Sequence, residues 1–170
     1  IASRTMYPTP RSPSTGMPVA AIIAMSRHKS RQDLALEFGA THIVTERGEE
    51  GIAKILELTD GVGADAVMEC VGTETSMKQA MYGARPGGSI GFVGVPHGVT
   101  FDGQELFFAQ RQLLGGPAPV RRFLPDLIDQ VLRREINPGK VFDLHIPLED
   151  VAEGYRAMDE RRAIKTLLRV

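Results

Sequence analysis

The stretch GVGADAVMECVGTETSMKQAMYGARPGGSIGFVGV, residues 61–95, decides the fold. Ala64–Cys70 is a short, largely apolar run of the length of a buried strand. Thr75–Ala84 contains no proline and suits a helix, which Pro86-Gly87-Gly88 then stops. Ser89–Val95 is a second apolar run ending in a glycine-containing turn. A strand, a helix and a strand at this spacing form a parallel crossover unit.

The same alternation continues on both sides. Upstream, Val19–Met25 is rich in β-branched and small residues and suits a buried strand. Ser30 is a candidate cap for a helix through about Phe38, closed by Gly39. His42–Val44 is a short strand, and Glu49–Leu58 a helix whose Ile52, Ile55, Leu56 and Leu58 form an apolar stripe. Downstream, the pattern predicts a short helix over Gln104–Gln110 and strands at Gln112–Gly115, Leu144–Ile146 and Ile164–Val170. Helices are expected over Phe123–Arg134 and Leu148–Arg161. The fold class is α/β, with a doubly wound, mostly parallel sheet over residues 19–170.

Residues 1–18 differ from the rest. They hold four prolines with Ser and Thr and show no apolar period. Proline fixes φ and lacks an N–H, so a disordered Pro/Ser-rich tail is expected there. It lacks the continuous apolar core of a secretory signal.

Composition narrows the function classes. The chain has 170 residues, 42% hydrophobic and 24% charged, with net charge −1. Such a balance gives no reason to expect nucleic acid or a membrane surface as partner. One cysteine, Cys70, excludes a disulfide within the chain, and fits a reducing compartment, so a cytoplasmic location is expected. His28, His42, His97 and His145 show no metal-ligand spacing.

In parallel sheets, ligands sit beyond the carboxyl ends of the strands. Ser26-Arg27-His28-Lys29, with Arg31, follows the strand ending at Met25. An acid at this position would accept ribose hydroxyls, whereas a small hydroxyl residue followed by Arg accommodates a 2′-phosphate. The plainer alternative is a solvated basic start to a helix, although a helix N-terminus prefers acids. Cys70-Val71-Gly72 and Val93-Gly94-Val95 end two further strands, and their glycines would let backbone approach a flat ligand. The plainer reading of the first is an ordinary tight turn before a helix; taken alone, the second reads more readily as a core strand. Cys70 itself suits a buried structural thiol. Gly61-Val62-Gly63-Ala64-Asp65-Ala66 matches G-x-G-x-x-A, but it follows a helix and opens a strand. A phosphate loop does the reverse, so this is turn chemistry.

Taken together, Ile22–Arg27, Glu37-Phe38-Gly39-Ala40-Thr41, Gly61–Asp65, Glu69–Gly72, Arg85–Gly88 leading to Val93-Gly94-Val95, and Ala163-Ile164-Lys165-Thr166 resemble the zinc-type medium-chain alcohol dehydrogenases in consistent order. The resemblance implies an oxidoreductase that moves hydride between alcohols or aldehydes and a nicotinamide dinucleotide. Ser26 stands where the family has its ribose-binding acid, so NADP is implied, with Arg27 on the 2′-phosphate and His28 and Arg31 beside it. Cys70, Val71 and Gly72 would line the adenosine side, Val93, Gly94 and Val95 would flank the nicotinamide, and Lys165 would meet the pyrophosphate. The loop at Gly116-Pro117-Ala118 would approach the carboxamide and a subunit interface. A homo-oligomer is implied, or a complementary N-terminal chain.

The family's zinc-ligating catalytic domain has no counterpart in these residues. Nor have its first strand, the G-x-G-x-x-G turn and the helix after it. The expectation is therefore an incomplete Rossmann-like sheet, either split or closed directly across the gap, that does not catalyse alone. It supplies no ligands for the zinc of the intact family. Two alternatives stay open: a non-catalytic nucleotide-binding or protein-interaction module, and a piece of a zinc-free quinone-reductase-like relative.

Overall fold

The computed structural model describes the backbone of residues 2–3 and residues 21–170. The expected tail over 1–18 otherwise lies outside the described residues, as do Val19 and Ala20. The chain divides into two compact units, Ile1–Ala118 and Pro119–Val170.

The first unit contains β1 (Ala2–Ser3), β2 (Ile23–Met25), α1 (Lys29–Glu37), β3 (His42–Val44), α2 (Gly48–Glu57), β4 (Ala64–Glu69), α3 (Glu74–Gly83), β5 (Ala84–Phe92), α4 (Gly103–Ala109) and β6 (Gln112–Gly115). β2 and β3 pair in parallel, as do β4, β5 and β6 in that order. The α/β class with parallel strands is thus observed. The sheet is split: β2 and β4 do not pair, and the two residues of β1 run antiparallel to β4, with Ala2 opposite Met68 and Ser3 opposite Val67. In the order 3-2-1-4-5-6, this slot belongs to a full-length parallel strand.

The hydrogen bonding is interrupted, but the apolar core is not. Ile23 and Val44 from one sheet cluster with Val67 and Ile90 from the other, through Ile55 of α2 and Ala80 and Met81 of α3. Close helix contact makes this geometry available. A Cβ on Gly83 would lie 3.0 Å from Ile55 Cδ1, and one on Gly51 would lie 2.9 Å from Met25 Cε.

Several boundaries differ from expectation, each for a local reason. His28, not Ser30, precedes α1, and no side chain caps that helix. Gly39 ends it as expected, at φ 98°. α3 begins at Glu74 because Thr73 caps it: Ser76 N donates to Thr73 Oγ1 at 3.3 Å, and Thr73 N to Ser76 Oγ at 3.1 Å. This reciprocal box satisfies N–H groups that the first turn otherwise leaves unpaired. Thr73→Ala is expected to cost about 1 kcal/mol in urea unfolding. No loss would mean that Ser76 alone suffices.

β5 begins at Ala84, five residues before the expected strand. Ala64 faces Ala84 and Ala66 faces Ser89, so Arg85-Pro86-Gly87-Gly88 bulges out opposite the single residue Asp65. Pro86, without an N–H, is tolerated because the bulge takes it off the ladder. Arg85 Nε donates to Asp65 Oδ1 at 2.7 Å across it. The strand stops at Phe92, leaving Val93–Val95 as loop rather than strand. Gly61 and Gly63 adopt φ of 79° and 97° between α2 and β4, which is the turn that their spacing predicts.

The second unit contains α5 (Val120–Leu132), a one-turn helix over Pro138–Val141, β7 (Leu144–Pro147), another turn over Leu148–Asp150, α6 (Val151–Asp159) and β8 (Thr166–Arg169). α5 starts three residues before the expected Phe123 and runs through Pro125. β7 and β8 pair in parallel across α6. Gly154 is buried in that crossover, where a Cβ would lie 2.9 Å from Thr166 Cγ2.

Candidate functional site

At the end of β2, Ser26 N still donates to Val44 O, at 3.1 Å. The chain then turns. Ser26 Oγ accepts from His28 N at 3.2 Å, and Gln32 Nε2 donates to Ser26 O at 2.9 Å. The Ser26 hydroxyl is thereby held in place with its own hydrogen left to donate. Lys29 is paired with Asp33. Arg27 and Arg31 are exposed and have no acidic partner among the described residues. Two uncommitted guanidiniums and an oriented hydroxyl beyond a strand's carboxyl end form a donor set suited to a phosphate.

The ends of β4 and β5 form a second constellation. Here the structure corrects the reading of Cys70, which is exposed rather than buried. The buried residue is its neighbour Glu69, only 1% exposed. Its carboxylate accepts from Val71 N at 2.7 Å and from Gly72 N at 2.9 Å. Loop amides thus take the charge that water would otherwise solvate. Desolvation around Cys70 raises its thiol above the ordinary value, which leaves less reactive thiolate.

Gly72 has φ 83°, and a Cβ there would fall on the Val95 carbonyl oxygen. A Cβ on Gly94 would fall on Gly72 N and lie 2.7 Å from Val71 C. Val93 N donates to Glu69 O at 2.9 Å, and His97 N to Gly72 O at 3.3 Å. The close approach that these glycines permit is therefore one loop on the other. Cys70, Val71, Gly72, Val93, Gly94 and Val95 are brought together as one wall. Val71 and Val95 are exposed on it.

Lys165 belongs to the second unit. Asp143 Oδ1 accepts from Ile164 N at 2.9 Å and from Lys165 N at 3.2 Å, which sets the entry to β8 and leaves Lys165 exposed. Gly116-Pro117-Ala118 follows β6 at the end of the first unit. Among the described residues, no three of His, Cys, Asp and Glu converge as a metal site, so the side chains present do not fit the zinc of the intact family. No helix among them is long and apolar enough to cross a membrane.

Glu69 belongs to the Glu69–Gly72 motif, and its residue type there assigns it no role by itself. The available signal was an acid closing an apolar strand just before a glycine turn, which is out of place unless the loop uses it.

The fold defines an incomplete α/β protein with parallel strands and glycine-bearing loops at the strand ends. The family model for zinc-binding dehydrogenases matches residues 16–132, and the chain belongs to that family. A "probable zinc-binding alcohol dehydrogenase" of Mycobacterium tuberculosis is 36% identical over 138 residues, 80% of this chain and 35% of that protein. The D-arabinose 1-dehydrogenase (NADP(+)) of Saccharolobus solfataricus is 30% identical over 142 residues, 83% of this chain and 39% of that protein. Among solved structures, alcohol dehydrogenase TADH from Thermus sp. ATN1 superposes with a TM-score of 0.81 at 26% identity, covering 88% of this chain and 44% of that one. The chain therefore spans less than half the length of each of these relatives.

Proposed function

We propose that this chain is the cofactor-binding part of an NADP-dependent zinc-type alcohol dehydrogenase and does not catalyse alone. The reaction of the whole protein is hydride transfer between an alcohol or aldehyde and nicotinamide. The observation that carries the NADP reading is the turn after β2, where Ser26 is held by His28 N and Gln32, and Arg27 has no acidic partner among the described residues. No carboxylate occupies the position that would repel a 2′-phosphate. The S. solfataricus relative carries NADP(+) in its name.

In this reading, Ser26 and Arg27 hold the 2′-phosphate, with His28 and Arg31 beside it. Cys70, Val71 and Gly72 line the adenosine side. Val93, Gly94 and Val95 flank the nicotinamide. Bound NADP supplies the hydride carrier; the chain's own residues bind and orient it. The zinc-dependent steps belong to ligands that the described residues do not contain. A homo-oligomer or a complementary N-terminal chain, in the cytoplasm, is the working context.

Thermal melts of the chain with NADPH and with NADH test the cofactor. A ligand that binds only the folded state stabilises it by about 2.7 kcal/mol at a hundredfold excess over Kd. The expected result is a clear upward shift with NADPH and little with NADH, with the NADPH shift lost in Arg27→Ala. Equal shifts with both would overturn the 2′-phosphate assignment. A second reading, a non-catalytic interaction module, is favoured by the interrupted sheet, whose inner edges β2 and β4 do not pair with each other. It predicts no shift with either nucleotide.

A further inference from the structure

We infer that Glu69 is a positioning residue: its carboxylate holds the loop after β4 in the one arrangement that also sets the loop after β5. For its consequence in binding, the inference rests on the nucleotide reading above. Glu69 is buried to 1% exposure, and its carboxylate bonds are to backbone N–H groups of the next loop. Oε1 accepts from both Val71 N, at 2.7 Å, and Gly72 N, at 2.9 Å, and Oε2 accepts from Gly72 N at 3.1 Å. Neither N–H has a backbone acceptor among the described residues. The carboxylate therefore replaces the pairing that these amides lose where the strand ends.

The consequence reaches beyond this loop because the two loops touch through backbone. Gly72 O accepts from His97 N at 3.3 Å, Glu69 O accepts from Val93 N at 2.9 Å, and a Cβ on Gly94 would fall on the backbone of Gly72 and Val71. With no side chain at Gly72 or Gly94 to yield, a displaced Gly72 amide displaces residues 93–97 with it. The wall that would carry Cys70–Gly72 on one side and Val93–Val95 on the other therefore has one buried anion behind it. That anion is a positioning group, since it is covered by the loop it holds.

Amide hydrogen exchange on the full chain, wild type and Glu69→Gln, tests this, together with NADPH binding. In the wild type, Val71 and Gly72 amides are expected to exchange about a hundredfold more slowly than open loop amides. In E69Q, an NH₂ group occupies one acceptor position and the charge is gone. Protection should fall at Val71 and Gly72 and also at His97, and the Kd for NADPH should rise about tenfold, with a cooperative melt retained. Rapid exchange of Val71 and Gly72 in the wild type overturns the inference without any substitution. So does a change in E69Q confined to residues 71–72 with His97 unmoved, or a Kd for NADPH in E69Q equal to that of a wild type that binds it. Should E69Q fail to fold, Glu69→Asp, which keeps the charge and shortens the reach by one methylene, carries the same readouts. A wild type that binds neither nucleotide sinks the cofactor reading instead, and the His97 amide then decides the role of Glu69.

Discussion

Gly72→Ala is expected to abolish cooperative folding, or to lower stability by about 3–5 kcal/mol, the range reserved for a few severe mechanisms. Two costs combine. Gly72 sits at φ 83°, and a left-handed conformation costs an L-residue about 1–2 kcal/mol. The added Cβ would also fall on the Val95 carbonyl oxygen, with Val95 C at 2.9 Å, and backbone cannot rotate aside as a side chain can. Gly39→Ala separates the two. Its φ is 98°, yet nothing lies within 4 Å of the added Cβ, so it carries the conformational cost alone. Urea unfolding of both variants should place Gly72→Ala well below Gly39→Ala. Equal losses would mean that the contact between the loops carries no energetic weight.

Ile55→Ala is expected to cost about 3–4 kcal/mol, typical of a buried aliphatic truncated where neighbours cannot collapse. Ile55 is 1% exposed and stands in the cluster that joins Ile23 and Val44 of one sheet to Val67 and Ile90 of the other. The two sheets share no β2–β4 hydrogen bonds, so side chains of α2 and α3 hold them within one core. Small domains have total stabilities of only about 5–15 kcal/mol, and this one has an interrupted sheet, so the fraction lost is large. Leu36, 48% exposed on α1, is the control. Leu36→Ala should stay within about 0.5 kcal/mol of wild type. If both variants unfold at the same urea concentration with the same slope, α2 lies outside the cooperative unit.

Much of the fold was legible because periodicity and turn residues act locally. His42–Val44 and Gln112–Gly115 form strands over the expected residues, since each is short and bounded by residues that break pairing. The G-x-G-x-x-A match at Gly61–Ala66 was assigned to a turn because of what precedes and follows it, and its positive φ values agree. Several boundaries were not legible, and two of them show why. The early start of β5 depends on Asp65 and Arg85 bridging a bulge, and a pairing partner twenty residues away leaves no local period. The start of α3 depends on Thr73 and Ser76 acting together, a capping box with Ser where the usual pattern has Glu or Gln.

The site divides in the same way. Ser26 and Arg27 could be chosen from sequence because a strand's end and the residue types there suffice to name a candidate. That Ser26 is held from two sides, while Arg27 has no acidic partner among the described residues, needed the structure. Composition and periodicity by themselves determined the α/β class and the parallel crossovers, and the resemblance carried by several motifs in consistent order implied the family that the family model shows. Tertiary structure alone decided that Glu69 rather than Cys70 is buried, and that Gly72 and Gly94 are required by each other. It also decided that one core spans an interrupted sheet. The physical reason is that backbone dihedrals and apolar alternation are properties of neighbouring residues. Burial of a charge depends instead on whether chain from elsewhere arrives to hydrogen-bond it, and close approach of two loops on whether both lack a side chain at the same point in space.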